Sequence, residues 1–346
     1  MPRTIIIVAI ALATSLCVSA KDFRIGVLYW SSNIEGQVAM AKGLESEAKK
    51  INALSKKKST PAVKLIKYVA GDGENGVENQ IDQMNRLIDI DKVDLIIVQP
   101  TDNAALVKPL KRANEKIIPV IAYDQYILEG KLTSYITSNN YQAGYLVGEY
   151  LGSKFSSKYE IKLILVEYPL VSSTVERVDG FFDALTENGK KFKILKTYQA
   201  VEPVSGKKAG EQIVKDFPAK GSIDVVFTIN DGGGISIVNE INKAKRTEIL
   251  VGSIDGDPVS VKNIKNNRST VIDSAQFCGD IGRKSMSVAY DKLMGKKVPK
   301  KILIPTFPIT KETMSRYTGW MGAVPMSFEK PWKKGVFWNS SYKTYK

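Results

Sequence analysis

The sequence predicts an α/β protein of two similar lobes, each a parallel sheet flanked by helices. Two observations carry this. From Lys21 onward, short β-branched runs alternate with longer amphipathic stretches. The short runs are nearly continuously apolar, as strands are when helices cover both faces of their sheet. Four or five strand-helix units precede Asp124 and as many follow it, enough for two cores of ordinary size. Such alternation gives parallel strands joined by right-handed crossovers.

Ahead of the first strand, Met1 to Ala20 carries Arg3, an apolar run from Ile5 to Ala13, and Val18-Ser19-Ala20 before Lys21-Asp22. An apolar stretch of about a dozen residues is too short to span a bilayer, and the small residues at its end read as a cleavable secretory signal. Cleavage removes Cys17 and leaves Cys278 alone, so no internal disulfide can form. The strands then follow as Arg24 to Trp30, Val63 to Val69, Asp94 to Val98, Ile117 to Tyr123, Ile161 to Glu167, Phe192 to Tyr198, Asp224 to Ile229, Ile249 to Ile254 and Thr270 to Ala275. In the first helical stretch Val38, Ala41, Leu44, Ala48 and Ile51 recur three or four residues apart and mark one apolar face. No later segment approaches membrane length.

Composition narrows the chemistry. There is no histidine among the 346 residues, which excludes every mechanism built on an imidazole base or an imidazole metal ligand. The 50 Lys+Arg against 36 Asp+Glu give a net charge of +14. The lysines are scattered as doublets such as Lys49-Lys50 and Lys207-Lys208, which reads as solvated faces rather than a nucleic-acid footprint. Asp255-Gly256-Asp257 offers too few oxygens for calcium. Gly232-Gly233-Gly234 lacks the following Lys-Ser/Thr of a phosphate loop. No metal, cofactor or catalytic residue is expected.

Polar residues gather at the strand ends: Trp30-Ser31, Gln99-Pro100-Thr101-Asp102, Asp124-Gln125, Asn230-Asp231 and Asp255-Gly256. Each alone reads as a helix cap or turn residue. Together they point to a site, because open α/β sheets bind ligands beyond the carboxyl ends of their strands. Carboxylates, amides and an aromatic on one cleft suit a molecule with many hydroxyls.

The segment Ser173-Thr174-Val175-Glu176-Arg177-Val178-Asp179-Gly180-Phe181 resembles a helix of the type I periplasmic solute-binding proteins, the ribose- and galactose-binding group. These share their fold with the effector domains of lactose-repressor-type regulators. Val225 to Asp231, Leu250 to Gly256, Gln99 to Asp102 and Pro119 to Asp124 are similar to that family in order and spacing. The resemblance runs from about Asp22 to about Pro308. It implies two Rossmann-like lobes joined by a three-strand hinge, with crossovers near Gln125, Gln276 and Leu303. It also implies that Asp124 and Asp255 accept hydrogen bonds from sugar hydroxyls, that Arg177 and Asn230 bond to ligand oxygens, and that Gln99 and Gln276 are polar ligand contacts.

The chain departs from the family in three places. The family's asparagine-proline-phenylalanine stretch after the first strand is replaced by Trp30 to Gly36, so Trp30 is expected to supply the stacking face. The arginine that commonly follows the fourth-strand aspartate is Gln125. Three of the four tryptophans, Trp320, Trp332 and Trp338, lie in an aromatic tail, expected to fold back over a lobe, with an aromatic surface for a membrane partner as the alternative.

The expected organisation is a signal peptide (1–20), a first lobe (21–126 plus 277–302), a second lobe (127–276 plus 303–325) and a C-terminal extension (326–346). The expected function is that of an exported, monomeric solute-binding protein of the periplasm. It would capture a sugar or sugar-like molecule between its lobes and present the closed form to an ABC permease. The alternatives are a receptor subunit for a sensor kinase or chemoreceptor, with a sugar or autoinducer-type signal, and an exported carbohydrate-active enzyme.

Overall fold

The computed structural model describes residues 21–71, 75–169 and 171–346; the expected signal peptide lies outside them. The chain begins with β1 (Phe23–Tyr29), α1 (Glu35–Lys58), β2 (Val63–Val69), α2 (Gly76–Asp89), β3 (Leu95–Val98), α3 (Val107–Glu115), β4 (Val120–Tyr123) and β5 (Ser134–Ser138). It continues with α4 (Asn140–Ser153), β6 (Glu160–Glu167), α5 (Ser172–Glu187), β7 (Lys191–Gln199), α6 (Pro203–Asp216), β8 (Val225–Thr228), α7 (Asp231–Lys243), β9 (Leu250–Asp255), α8 (Pro258–Lys265) and β10 (Thr270–Ala275). Then come α9 (Cys278–Leu293), β11 (Lys301–Ile304) and β12 (Phe307–Ile309). The tail holds β13 (Phe328–Glu329), β14 (Phe337–Trp338) and β15 (Lys343–Tyr345).

The first lobe is a seven-stranded sheet in the order β15-β11-β5-β4-β3-β1-β2, and the second a six-stranded sheet in the order β12-β10-β9-β8-β6-β7. Pairing is parallel except for β15 on β11 and β12 on β10. The fully buried strands β3, β4 and β8 carry Leu-Ile-Ile-Val, Val-Ile-Ala-Tyr and Val-Val-Phe-Thr, as sheets covered on both faces require. Strand order reverses at β1/β3 and at β6/β8, so both sheets open a crevice at that point.

Close helix packing fixes the second lobe beside the cleft. A Cβ on Gly144 of α4 would lie 1.8 Å from the carbonyl oxygen of Arg177, and one on Gly180 of α5 would lie 2.1 Å from that of Tyr141. Only glycine permits this approach. Phe181, next in sequence, is buried and stacks on Phe227 of β8 at 4.1 Å. The Arg-x-x-Gly-Phe pattern is thus one packing unit that presents Arg177.

The lobe boundaries differ from the expected ones. Residues 127–138 belong to the first lobe, because β5 pairs with β4 and β11. Leu303 and Ile304 also lie in the first sheet. The chain crosses between lobes at Asn139 rather than near Gln125, at Gln276, and between Ile304 and Phe307, just beyond Leu303. These crossings are laced together: Ser138 Oγ donates to Gln276 Oε1 at 2.8 Å, the Asn139 amide to the Ile304 carbonyl at 2.7 Å, and Ser274 Oγ to Thr306 Oγ1 at 3.2 Å.

The tail folds back, yet it covers both lobes rather than one. Trp338 is 1% exposed, packs on Phe307 and Phe328, and donates its Nε1 proton to the Thr306 carbonyl at 2.7 Å. On the second lobe, Glu149 of α4 receives Lys330 Nζ at 2.6 Å, Trp332 Nε1 at 3.0 Å and Lys333 Nζ at 3.1 Å. On the first, Tyr342 donates to Asp280 of α9, and Arg283 donates to the Met321 and Gly322 carbonyls at 3.2 Å. Met326, Phe337 and Tyr345 remain exposed.

Candidate functional site

The cleft between the lobes brings Asp124, Arg177 and Asp255 into one electrostatic unit. Asp124 follows β4 in the first lobe, with φ +63°, and Asp255 ends β9 in the second, with φ +130°. Side chains rarely adopt such backbone, and it persists only where neighbours hold it. The Asp124 carbonyl accepts hydrogen bonds from Tyr135 Oη and Thr137 Oγ1, both at 2.9 Å. Its amide donates to the Ile136 carbonyl at 2.9 Å.

Arg177 is buried and its guanidinium is fixed at three points. Nε donates to Asn140 Oδ1 at 3.0 Å, and Nη1 donates to the Ile229 carbonyl at 2.8 Å. Nη1 also lies 3.2 Å from Asp255 Oδ1. Burial pushes both aspartates above the usual carboxylate range, while Arg177 pulls them down and Asp255 adds an upward push on Asp124. Two carboxylates facing one guanidinium leave acceptor capacity in a dehydrated place, which hydroxyl donors can fill.

Gln99 and Gln276 support these carboxylates. Gln99 is 1% exposed, and its Nε2 donates to Asp124 Oδ2 at 2.9 Å. That bond orients the Asp124 carboxylate. Gln276 Nε2 donates to Asp255 Oδ1 at 2.7 Å while its Oε1 accepts from Ser138, which ties the site to the hinge.

Asn230 is not brought into this unit. It caps α7, accepting from the Gly233 amide at 3.3 Å, and donates its Nδ2 proton to the Val201 carbonyl at 2.9 Å. The capping role that any strand-end asparagine can play engages both ends of its amide. Trp30 stands half-buried at the end of β1, its carbonyl accepting from the Gly71 amide at 2.9 Å. Gln125 reaches across the lobes, its Nε2 lying 3.4 Å from Ser173 Oγ.

Several contributors escape sequence reasoning. Asn140, Tyr135, Thr137 and Trp320 carry no local signal of a site. Trp320 was visible only as part of an aromatic tail, yet its Nε1 donates to the Asp255 carbonyl at 2.7 Å. Asp231 and Asp273 are two further buried carboxyls beneath the Asp255 turn.

Two hinged lobes with hydrogen-bonding groups on both cleft walls define a class of protein that captures a small ligand by enclosing it. The chain belongs to the periplasmic binding protein domain family, whose profile matches residues 25–297. It is 27% identical over 287 residues to the ribose import binding protein of Bacillus subtilis, covering 82% of this chain and 86% of that one. A similar solved structure is an ABC transporter periplasmic solute-binding protein from Actinobacillus succinogenes with bound D-allose. It has a TM-score of 0.72 and 21% identity, covering 86% of this chain and all of the other. The fructose-binding periplasmic domain of a hybrid two-component system matches with a TM-score of 0.72 and 23% identity, covering 85% and 92%.

Proposed function

We propose that this protein is an exported receptor of the periplasm that captures a sugar or sugar-like molecule between its lobes and presents the ligand-bound form to an ABC permease. The observation that carries the reading is the pairing of Asp124 on one lobe with Arg177 and Asp255 on the other. Ligand hydroxyls bridging these groups favour the closed arrangement, and a partner that recognises closure reads out occupancy. Asp124, Arg177 and Asp255 are the direct contacts in this reading, Trp30 supplies an apolar face, and Gln99 and Gln276 hold the carboxylates. The import relative and the allose-bound structure support it. No bond-breaking step is assigned to the site, and the protein acts as a monomer without a cofactor.

The test is a thermal-shift screen of the purified protein against sugars, polyols and nucleosides, D-ribose, D-allose and D-fructose among them, followed by calorimetry. Stabilisation that is lost in Asp124→Asn and in Asp255→Asn supports the reading; no stabilisation by any sugar, polyol or nucleoside overturns it. The similarity to a two-component periplasmic domain favours a second reading, in which the closed form signals to a membrane sensor. Pull-down of the loaded protein by permease or by sensor ectodomain separates the two.

A further inference from the structure

The turn bearing Asp255 rests on two buried carboxyls that make no proposed ligand contact. Asp231, 2% exposed, is the first residue of α7, and Asp273, 0% exposed, lies in β10. Asp273 Oδ1 accepts from the Gly256 amide at 2.9 Å, and Asp231 Oδ2 accepts from the Asp257 amide at 2.8 Å. Asp231 Oδ1 also accepts from Ser253 Oγ at 2.6 Å. The two carboxyls act on each other's ionisation, and Asp273 Oδ2 is buried with no hydrogen-bond partner among the described residues. Consecutive amides after Asp255 are therefore each held by a different carboxyl.

The turn needs such anchors. Asp255 has φ +130° and Gly256 φ +80°, and a Cβ on Gly256 would lie 2.4 Å from the Cβ of Ala275. A non-glycine residue in this backbone region is strained and keeps that shape only where its surroundings over-determine it.

Two neighbouring carboxyls in a dry interior do not both ionise. Burial, then Asp273 and the charge of Asp255, push Asp231 well above the usual carboxylate range, against the Ser253 hydroxyl. Burial and Asp255 push Asp273 up to about 6, against Asp231, Ser260 and the hydrogen bond from the Gly256 amide. Tyr317 faces the same cluster from the tail, and Arg177 engages Asp255 on its far side. The pair thus holds a proton to higher pH than a free carboxyl would, and ionisation of Asp273 strengthens its bond to the Gly256 amide.

We propose that Asp231 and Asp273 are positioning residues, which set the Asp255 carboxylate in its ligand-binding orientation by anchoring the Gly256 and Asp257 amides. The proposal rests on the reading of Asp255 as a ligand contact.

The test uses the full chain with Asp273→Asn, which keeps an acceptor oxygen without the charge, Asp273→Ala, which removes both, and Asp231→Asn. Amide NMR needs no ligand: the wild-type Gly256 signal should titrate with a midpoint near 6 and should not in Asp273→Asn. Calorimetry with whichever screened compound, D-ribose, D-allose and D-fructose among them, binds best should show about tenfold weaker affinity in Asp273→Ala and partial rescue by asparagine. No further loss should appear when Asp273→Ala is added to Asp255→Asn. If the alanine variant does not fold, Asp231→Asn and Asp273→Asn carry the same comparison. A Gly256 signal unchanged in position and in titration by Asp273→Asn overturns the proposal, as does unchanged affinity in the folded variants. Failure of every sugar, polyol and nucleoside in the screen to bind the wild type overturns the sugar reading instead, and the Gly256 signal then decides the positioning role alone.

Discussion

The indole Nε1 of Trp320 donates a hydrogen bond to the main-chain carbonyl of Asp255 at 2.7 Å. The carbonyl of Trp320 in turn accepts from the Gly279 amide of α9 at 2.9 Å. One tail residue thus joins a first-lobe helix to the second-lobe turn that presents a site carboxylate. Trp320→Phe keeps the ring and deletes the donor. Loss of one neutral hydrogen bond should weaken sugar affinity about fivefold, with a small change in melting temperature, as calorimetry and a thermal melt will show.

Asp124→Asn and Asp255→Asn preserve shape and remove charge. Each should weaken sugar binding by about ten- to a hundredfold, the range for hydrogen bonds to charged acceptors. Gln99→Leu should weaken binding through Asp124 alone, so its effect should vanish in Asp124→Asn. Calorimetric titration of the four variants measures both.

Much of the fold was legible from strand periodicity, and the parts that were not have physical reasons. β5 reads Ser-Tyr-Ile-Thr-Ser, with no apolar run, because its hydroxyls serve the Asp124 carbonyl and the hinge. Missing it misplaced the first lobe boundary. Arg177, inside α5, stood out only through the family resemblance, and Asp124 and Asp255 because strand ends concentrate polar groups. Asn230 occupies the same kind of position and turns out to cap its helix, a distinction that only the direction of its amide makes. Asp231 was visible only as the neighbour of Asn230, and Asp273 sits inside an apolar strand where no pattern announces a functional carboxyl.

The Lys330–Glu149 pair is buried, at 6% and 2% side-chain exposure. Burial opposes the charge on Glu149, but Lys330, Lys333 and Trp332 hold its carboxyl below the usual range. Glu149→Ala leaves Lys330 uncompensated and should destabilise the protein by about 3–5 kcal/mol. Urea unfolding gives the number. Lys330→Met with Glu149→Leu should recover much of the loss, since an apolar pair of similar size suits a dry site.

Stability should also respond to pH through Asp273. Its folded value of about 6 exceeds the ordinary 3.8, so the native state binds the proton more tightly than the unfolded chain. The resulting stability is complete below about pH 4 and is lost as pH rises through about 6. Asp273→Asn removes this dependence, so the variant should gain on the wild type between about pH 4 and 7 in matched thermal melts.

The hydrogen-bonding of β15 to β11, and of β11 to β5, has a kinetic consequence. The first sheet draws its edge from the far end of the chain, so its completion must close a loop containing the whole second lobe. Such long-range closure is slow relative to local pairing. Apart from its edge strand β12, the second lobe is continuous from α4 to β10 and is free to form early. Pulse-labelled hydrogen exchange during refolding should show β6, β8 and β9 protected before β5, and the first lobe should remain unfinished until the last residues of the chain take their place.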